Sequence, residues 1–134
     1  MKCLLLFWFL FGVHALSGSG RATWYAHNDG NAPVTWSTPG ACGRRFLPKD
    51  KWYVALSGDL YKQEHCGKCL QVEGYGKCFI VEVVDECPEC CRGCIDLYFG
   101  AFAAVVGSES RAVELGVFKE SFVLIDCPNK LGIV

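Results

Sequence analysis

The chain has 134 residues, with 13 basic and 14 acidic side chains and a formal net charge of −1. This balance lacks the basic excess that nucleic-acid-binding domains carry, so we expect no nucleic-acid partner. The length supports one domain, large enough to bury most of its apolar surface.

The first fifteen residues have the composition of a secretory signal peptide. Lys2 precedes an apolar run from Leu4 to Val13, and the small residue Ala15 follows it. The run is shorter than the roughly 20 apolar residues that a membrane-spanning helix needs, and no later segment is longer. We therefore expect residues 1–15, with Cys3 among them, to be removed, and the product to be secreted, extracellular and without a membrane partner.

The remaining chain divides into short strand-like runs and glycine-rich turns. Residues 16–20 are mostly serine and glycine, which predicts a flexible lead-in. Apolar alternation or β-prone composition predicts strands at 21–26, 52–56, 70–73, 78–84 and 121–126.

One segment stands apart from the strands: residues 98–106 are apolar all round and end at Gly107, which predicts one short buried helix with a glycine cap. Gly, Pro and Asn over 28–41 predict a long loop. Many short strands, one helix and long loops favour a small all-β barrel or sandwich over an α/β sheet. We place the domain at 21–127, followed by a tail at 128–134.

Nine cysteines follow the leader: Cys42, Cys66, Cys69, Cys78, Cys87, Cys90, Cys91, Cys94 and Cys127. Three Cys-x-x-Cys pairs occur among them, which in a cytosolic protein would indicate zinc and in a redox enzyme an activated thiol. The secretory leader favours structural disulfides, and we expect neither a metal nor a cofactor. Neighbours Cys90 and Cys91 should have different partners. An odd number leaves one thiol over in a protein we otherwise expect to be monomeric.

Two aspartates, Asp85 and Asp96, flank the cysteine-rich segment. Two carboxylates across a sugar bond can act as acid and base when one has a raised pKa, and a carboxylate can also bind sugar hydroxyls without catalysis. The structural alternatives are helix capping for Asp96 and bonds to backbone amides for Asp85. Spacing alone leaves these alternatives open.

Aromatic side chains outside the apolar faces are candidates for stacking on sugar rings. Trp36 and Tyr75 lie in predicted loops, and Tyr25 lies opposite the apolar face of the first predicted strand. These three are the aromatic residues that we expect to bind glycan.

Eight short motifs together resemble the first domain of expansins, the barwin proteins and related secreted double-psi β-barrels. They span nearly all of the chain after the leader, in the order Gly20–Tyr25, Ala41–Gly43, Val54–Ser57, Cys66–Val72, Val84–Pro88, Ile95–Leu97, Ala101–Phe102 and Ile125–Cys127. The resemblance implies a six-stranded double-psi barrel with one short helix and a shallow groove. It also implies that Thr23, Asp85 and Asp96 line that groove and bind a polysaccharide such as cellulose, chitin or another β-glycan.

Related barrels include inverting endoglucanases, in which an aspartate at the position of Asp96 is the acid and a second, in a Tyr-x-Asp-Cys arrangement, is the base. That arrangement is missing here, and only the displaced Asp29 could substitute. The resemblance therefore implies glycan binding without hydrolysis, and residues 128–134 leave no room for a second carbohydrate-binding domain. An inverting hydrolase is the first alternative, and a secreted defence or protease-inhibitor protein acting through loop 28–41 is the second.

Overall fold

The computed structural model describes residue 3 and residues 16–26, 40–43 and 52–134. The strands are β1 (Ser17–Tyr25), β2 (Tyr53–Ser57), β3 (Cys69–Gly74), β4 (Lys77–Cys87), β5 (Ile95–Tyr98), β6 (Phe118–Ile125) and β7 (Gly132–Ile133). Two helices, α1 (Phe99–Val106) and α2 (Glu109–Leu115), lie between β5 and β6, and a 3-10 turn covers Gln63–His65.

Six of these strands form a closed barrel. They pair in the order β2, β5, β1, β6, β3 and β4, and β4 pairs with β2 to complete the circle. The β1–β5 and β2–β4 pairs are parallel, whereas the other pairs around the barrel are antiparallel. The expected all-β, six-stranded barrel is thus confirmed.

The barrel interior is filled by branched and aromatic side chains. Fully buried members of this core include Val54, Leu56, Leu70, Val72, Phe79, Val81, Val83, Ile95, Leu97 and Phe102. Because side chains alternate between the two faces of a strand, the strand residues next to these ones point away from the barrel interior.

The flexible lead-in predicted at 16–20 is wrong for residues 17–20, which form the first half of β1 and pair with β6. The glycines here serve close packing. A Cβ on Gly18 would lie 2.7 Å from the Phe122 ring, and one on Gly20 would lie 2.9 Å from the carbonyl carbon of Gly93. A linker-like composition therefore marks a strand that neighbouring atoms approach closely.

The helical region is also larger than expected. α1 ends at Gly107 in a left-handed conformation, as predicted, but a second helix follows it. The Ser108 hydroxyl accepts the Arg111 amide at the start of α2, and Gly116 ends it. The predicted tail contributes β7, which pairs with the first half of β4. Within the described part of the chain, no helix has the length and apolar character needed to cross a bilayer.

Ten cysteines form five disulfides, and none of the described cysteines is free. The pairs are Cys3–Cys78, Cys42–Cys66, Cys69–Cys127, Cys87–Cys90 and Cys91–Cys94. Cys90 and Cys91 have different partners, as expected. Chain-entropy reasoning gives about 4 kcal/mol for the bridge across 58 residues and about 2 kcal/mol for each bridge across 3 residues.

The expected unpaired thiol depends on the leader. The structure joins Cys3 to Cys78, so every cysteine of the described chain has a partner. In a chain without residues 1–15, Cys78 is the cysteine that loses its partner. With Cys3 bonded to it, Cys78 is only 3% exposed, near the beginning of β4.

Candidate functional site

A row of four residues crosses the outer face of the barrel on four adjacent strands. Thr23 on β1 is the register partner of Asp96 on β5, and Asp96 is the partner of Ala55 on β2. Ala55 is in turn the partner of Asp85 on β4. Because cross-strand partners share a face, the side chains of Thr23, Asp96, Ala55 and Asp85 form one line, here called the polar row.

A β-bulge puts Asp85 in this row. The register with β2 shifts between Val54, which pairs with Val83, and Ala55, which pairs with Asp85, so β4 carries one extra residue, Val84. Without the bulge, Asp85 would share the inward face of Val83. The extra residue turns the carboxylate outward, as bulges commonly do beside functional sites.

Thr23 and Asp96 are in direct contact. The Thr23 hydroxyl donates to Asp96 Oδ1 at 2.9 Å, from a side chain that is itself exposed. Burial raises the pKa of Asp96 above its usual range, the bond from Thr23 opposes that shift, and Glu89 and Asp85 add smaller contributions that raise it. Asp96 is therefore a half-buried acid with a donor on one oxygen.

Asp85 is held by the backbone. Its Oδ1 accepts the amide of Ala41 at 2.8 Å and the amide of Glu86 at 2.9 Å. A Cβ on Gly40 would lie 2.9 Å from the Asp85 Cγ and 2.8 Å from the Val84 carbonyl oxygen. Glycine at position 40 thus permits the close approach that ties segment 40–43 to the row. The structural alternative for Asp85, bonds to backbone amides, is realised in part, with Ala41 as the distant donor.

Three tyrosines lie beside the polar row. Tyr98 is the register partner of Tyr25, and their rings meet edge to face, as do those of Tyr98 and Tyr53. Val84 completes this second apolar cluster on the outside of the barrel. Burial and the nearby carboxylates of Asp85 and Asp96 raise the pKa of Tyr25. Tyr25 therefore lies at the row, as the side wall of the site.

Tyr75, another predicted aromatic, is not brought to the row. Tyr75 lies in the β3–β4 turn, where its ring packs on Phe118 and its hydroxyl accepts a bond from Arg111. From Lys77 to Asp85 the chain runs eight residues along β4, about 26 Å of extended strand. Tyr75 therefore lies at the opposite end of β4 from the polar row. The predictions for Trp36 and Asp29 lie outside the described residues.

The Cys87–Cys90 disulfide borders the row at Asp96. Both sulfurs and an Asp96 carboxylate oxygen lie within 4.8 Å of one another, a grouping that could in principle hold a metal ion. The two sulfurs are bonded to each other, so neither is the thiolate that a metal requires. In this oxidised form the cluster is a disulfide against a carboxylic acid.

Sequence reasoning missed Glu89, which lies between Cys87 and Cys90 and faces Asp96 closely enough to raise its pKa. It also missed the amide of Ala41 as the partner of Asp85. A short disulfide loop closed by Cys87 and Cys90 would have indicated Glu89, but the contact at Ala41 has no local sequence signal.

Comparison with solved structures gives the same fold. The expansin of Clavibacter michiganensis without ligand is 31% identical, with a TM-score of 0.65, over 86% of this chain and 53% of that one. A single-site mutant of that expansin in complex with cellohexaose is 30% identical, with a TM-score of 0.64 and the same coverage. The chain thus spans about half the length of the expansin structures it matches.

A Streptomyces papain inhibitor is 23% identical, with a TM-score of 0.62, over 82% of this chain and 94% of that one, a likeness of fold alone. No protein-family model and no curated protein matches the chain. The closed six-stranded barrel and its similarity to the bacterial expansin show that this chain has the fold of an expansin-like double-psi β-barrel.

Proposed function

We propose that the chain is a secreted polysaccharide-binding module that holds a β-glycan along the polar row without hydrolysing it. The observation that carries the proposal is the alignment of Thr23, Asp96 and Asp85 across four adjacent strands on one outer face. A polysaccharide presents a line of hydroxyl groups, and a line of acceptors across the strands is a suitable partner. The four disulfides that lie outside residues 1–15 fit a protein exported to an oxidising compartment.

The two carboxylates suit hydroxyl recognition for different reasons. A carboxylate has about four lone-pair positions, and the amides of Ala41 and Glu86 use two of those on Asp85. Its remaining positions can accept sugar hydroxyls while the backbone fixes its orientation. Asp96 is fixed in the same way by Thr23, so both acceptors are preorganised and little ordering is needed on binding.

The cellohexaose complex of the Clavibacter expansin supports a β-1,4-linked glucan as the ligand class. That protein is about twice as long as the matched region, so the ligand is carried over here as part of the proposal. Cellohexaose is the first probe to use, with chitin and xylan oligomers of equal length as comparisons.

One observation favours an inverting hydrolase as the second candidate. The raised pKa of Asp96 is the property that a general acid needs. Hydrolysis also requires a base about 6.5–9.5 Å across the groove from the acid. Asp85 lies two strand spacings from Asp96, about 10 Å between Cα atoms, and its Oδ1 accepts two backbone amides, so only its other oxygen is open to a water molecule.

The test is calorimetric titration of each oligosaccharide into the wild type and two isosteric variants. Asp96→Asn removes the charge in the row but keeps an oxygen that the Thr23 hydroxyl can reach. Asp59→Asn makes the same charge change at an exposed turn after β2. We expect Asp96→Asn to weaken binding about tenfold, the effect of losing one charged hydrogen bond, and Asp59→Asn to bind like the wild type.

Two outcomes would overturn the proposal. Absence of binding to every oligosaccharide at millimolar concentration, by protein with an intact far-ultraviolet spectrum, rules out glycan recognition. Reducing-sugar release from soluble β-glucan that Asp96→Asn abolishes shows the hydrolase instead. Inhibition of papain, measured in parallel, would point to the interaction-protein alternative, because the fold is shared with an inhibitor.

A further inference from the structure

We propose that the Cys91–Cys94 bridge is a thiol–disulfide exchange site, at which a carboxylate-bearing low-molecular-weight thiol attacks the sulfur of Cys91. The proposal concerns a different cluster from the polar row and does not rest on glycan binding. It comes from the unequal exposure of the two cysteines and from the position of Arg21.

Only one end of this bridge is open to attack. Cys91 is exposed, whereas Cys94 is 5% exposed at the entrance to β5. The intervening turn is fixed against β1, because Gly93 has φ +79° and a Cβ there would lie 2.3 Å from the Ser19 carbonyl oxygen. An incoming thiolate therefore meets the Cys91 sulfur first.

Arg21 contacts both sulfurs of the bridge. Its Nη2 lies 3.7 Å from Cys91 Sγ, and its backbone N–H donates to Cys94 Sγ at 3.4 Å. A cation beside a cysteine stabilises the thiolate and lowers the thiol pKa. The guanidinium thus attracts an anionic thiol to Cys91, while the amide stabilises the Cys94 thiolate as it leaves.

The neighbouring Cys87–Cys90 bridge has the same spacing and the opposite electrostatic environment. An Asp96 carboxylate oxygen lies within 4.8 Å of both sulfurs, and Glu89 lies between the two cysteines. Negative charge disfavours thiolate formation and repels an anionic thiol. Cys87 is 5% exposed, as Cys94 is in the other bridge. The Cys87–Cys90 bridge is therefore an internal control for reactivity, because the spacing of its cysteines is the same and the charge around it is different.

The exchange is a balanced two-electron reaction. The thiolate of the small molecule forms a bond to Cys91 Sγ as the Cys91–Cys94 bond breaks, and Cys94 takes up the electron pair and then a proton. A second thiolate attacks the small-molecule sulfur of the mixed disulfide and releases Cys91. Two small thiols are oxidised to their disulfide, and the protein disulfide is reduced to two thiols.

The experiment measures opening of each bridge in the full-length oxidised protein. Glutathione, an anionic thiol, and cysteamine, a cationic one, are added in separate series, and samples are quenched with acid, alkylated and mapped by mass spectrometry. Arg21→Gln is the test variant. Arg92→Gln makes the same charge change within the exposed turn itself.

We expect glutathione to open Cys91–Cys94 at least about tenfold faster than Cys87–Cys90, with a glutathione adduct on Cys91. Arg21→Gln should slow this step about tenfold with glutathione and less with cysteamine, while Arg92→Gln leaves it within about twofold. Faster or equal opening of Cys87–Cys90 in the wild type overturns the proposal, whatever the variants do. Equal rates for wild type and Arg21→Gln, or an equal loss in Arg92→Gln, also overturn it.

Discussion

Replacing Glu120 with glutamine should make the barrel more stable above neutral pH. Glu120 lies on β6 between the inward residues Phe118 and Phe122 and is only 5% exposed. Neither carboxylate oxygen has a hydrogen-bond partner among the described residues. Its register partners Gly20 and Gly74 have no side chains. An ionised carboxylate in such a place is costly because no polar group replaces its water.

Burial raises the pKa of Glu120 from its ordinary value of 4.5 to about 8. Between pH 4.5 and pH 8 the carboxyl group keeps its proton in the folded protein and loses it in the unfolded chain. The free energy of unfolding is therefore highest below pH 4.5 and decreases as the pH rises to 8. Each pH unit in this range lowers the free energy of unfolding by about 1.4 kcal/mol. The total decrease is of the order of 3 kcal/mol at pH 7 and up to about 5 kcal/mol above pH 8.

Urea unfolding of wild type and Glu120→Gln at pH 4, 6 and 8 measures this effect. The two proteins should be similar in stability at pH 4, and the variant should be more stable at pH 8 by several kcal/mol. Glu64→Gln, at an exposed position, is the matched control and should follow the wild type. If the difference in free energy of unfolding between wild type and Glu120→Gln does not change with pH, the argument that Glu120 is buried without a hydrogen-bond partner is refuted.

Two further predictions concern single contacts. Thr23→Val should raise the pKa of Asp96 further, because it removes the hydrogen bond that now lowers it. Titration of the carboxyl group by NMR measures this pKa, and Thr23→Ser should keep the wild-type value. An unchanged pKa in the valine variant would contradict the contact. Gly93→Ala should destabilise the fold by more than about 3 kcal/mol, because it combines positive φ with a Cβ 2.3 Å from the Ser19 oxygen. Gly116→Ala, with positive φ but nothing within 4 Å of its Cβ, should cost about 1 kcal/mol, and equal losses in thermal unfolding would refute the steric part of the argument.

The sequence predicted the barrel interior well and its outer face less well. Alternation on β4 correctly placed Val81 and Val83 on one face, but the same alternation would have turned Asp85 inward with them. A bulge depends on the partner strand, so no pattern within β4 alone predicts it. Asp85 became a candidate because it flanks the cysteine-rich segment, and the resemblance to a family then implied its place in a groove; periodicity contributed nothing to either step.

Glycine-rich composition misled for a similar reason. Ser17–Gly20 has the content of a flexible linker, yet its glycines are where Phe122 and Gly93 approach β1. The composition of this segment indicates only which conformations it can adopt. The structure that it forms depends on residues about 75 to 105 positions away in the sequence. Short glycine segments beside a predicted strand are therefore ambiguous until their partners are known.

β1 connects the two proposed sites. Arg21 and Thr23 are two residues apart, both exposed, and so point to the same outer side of the strand. Arg21 contacts the sulfurs of Cys91 and Cys94, and Thr23 contacts Asp96, which follows Cys94 by two residues on the paired strand. The bridge therefore fixes the start of β5 next to the residues that orient Asp96. Arg21→Gln leaves the Thr23–Asp96 bond in place, so thiol exchange and glycan binding can be separated in one variant. Cleavage of the bridge, in contrast, should loosen the polar row.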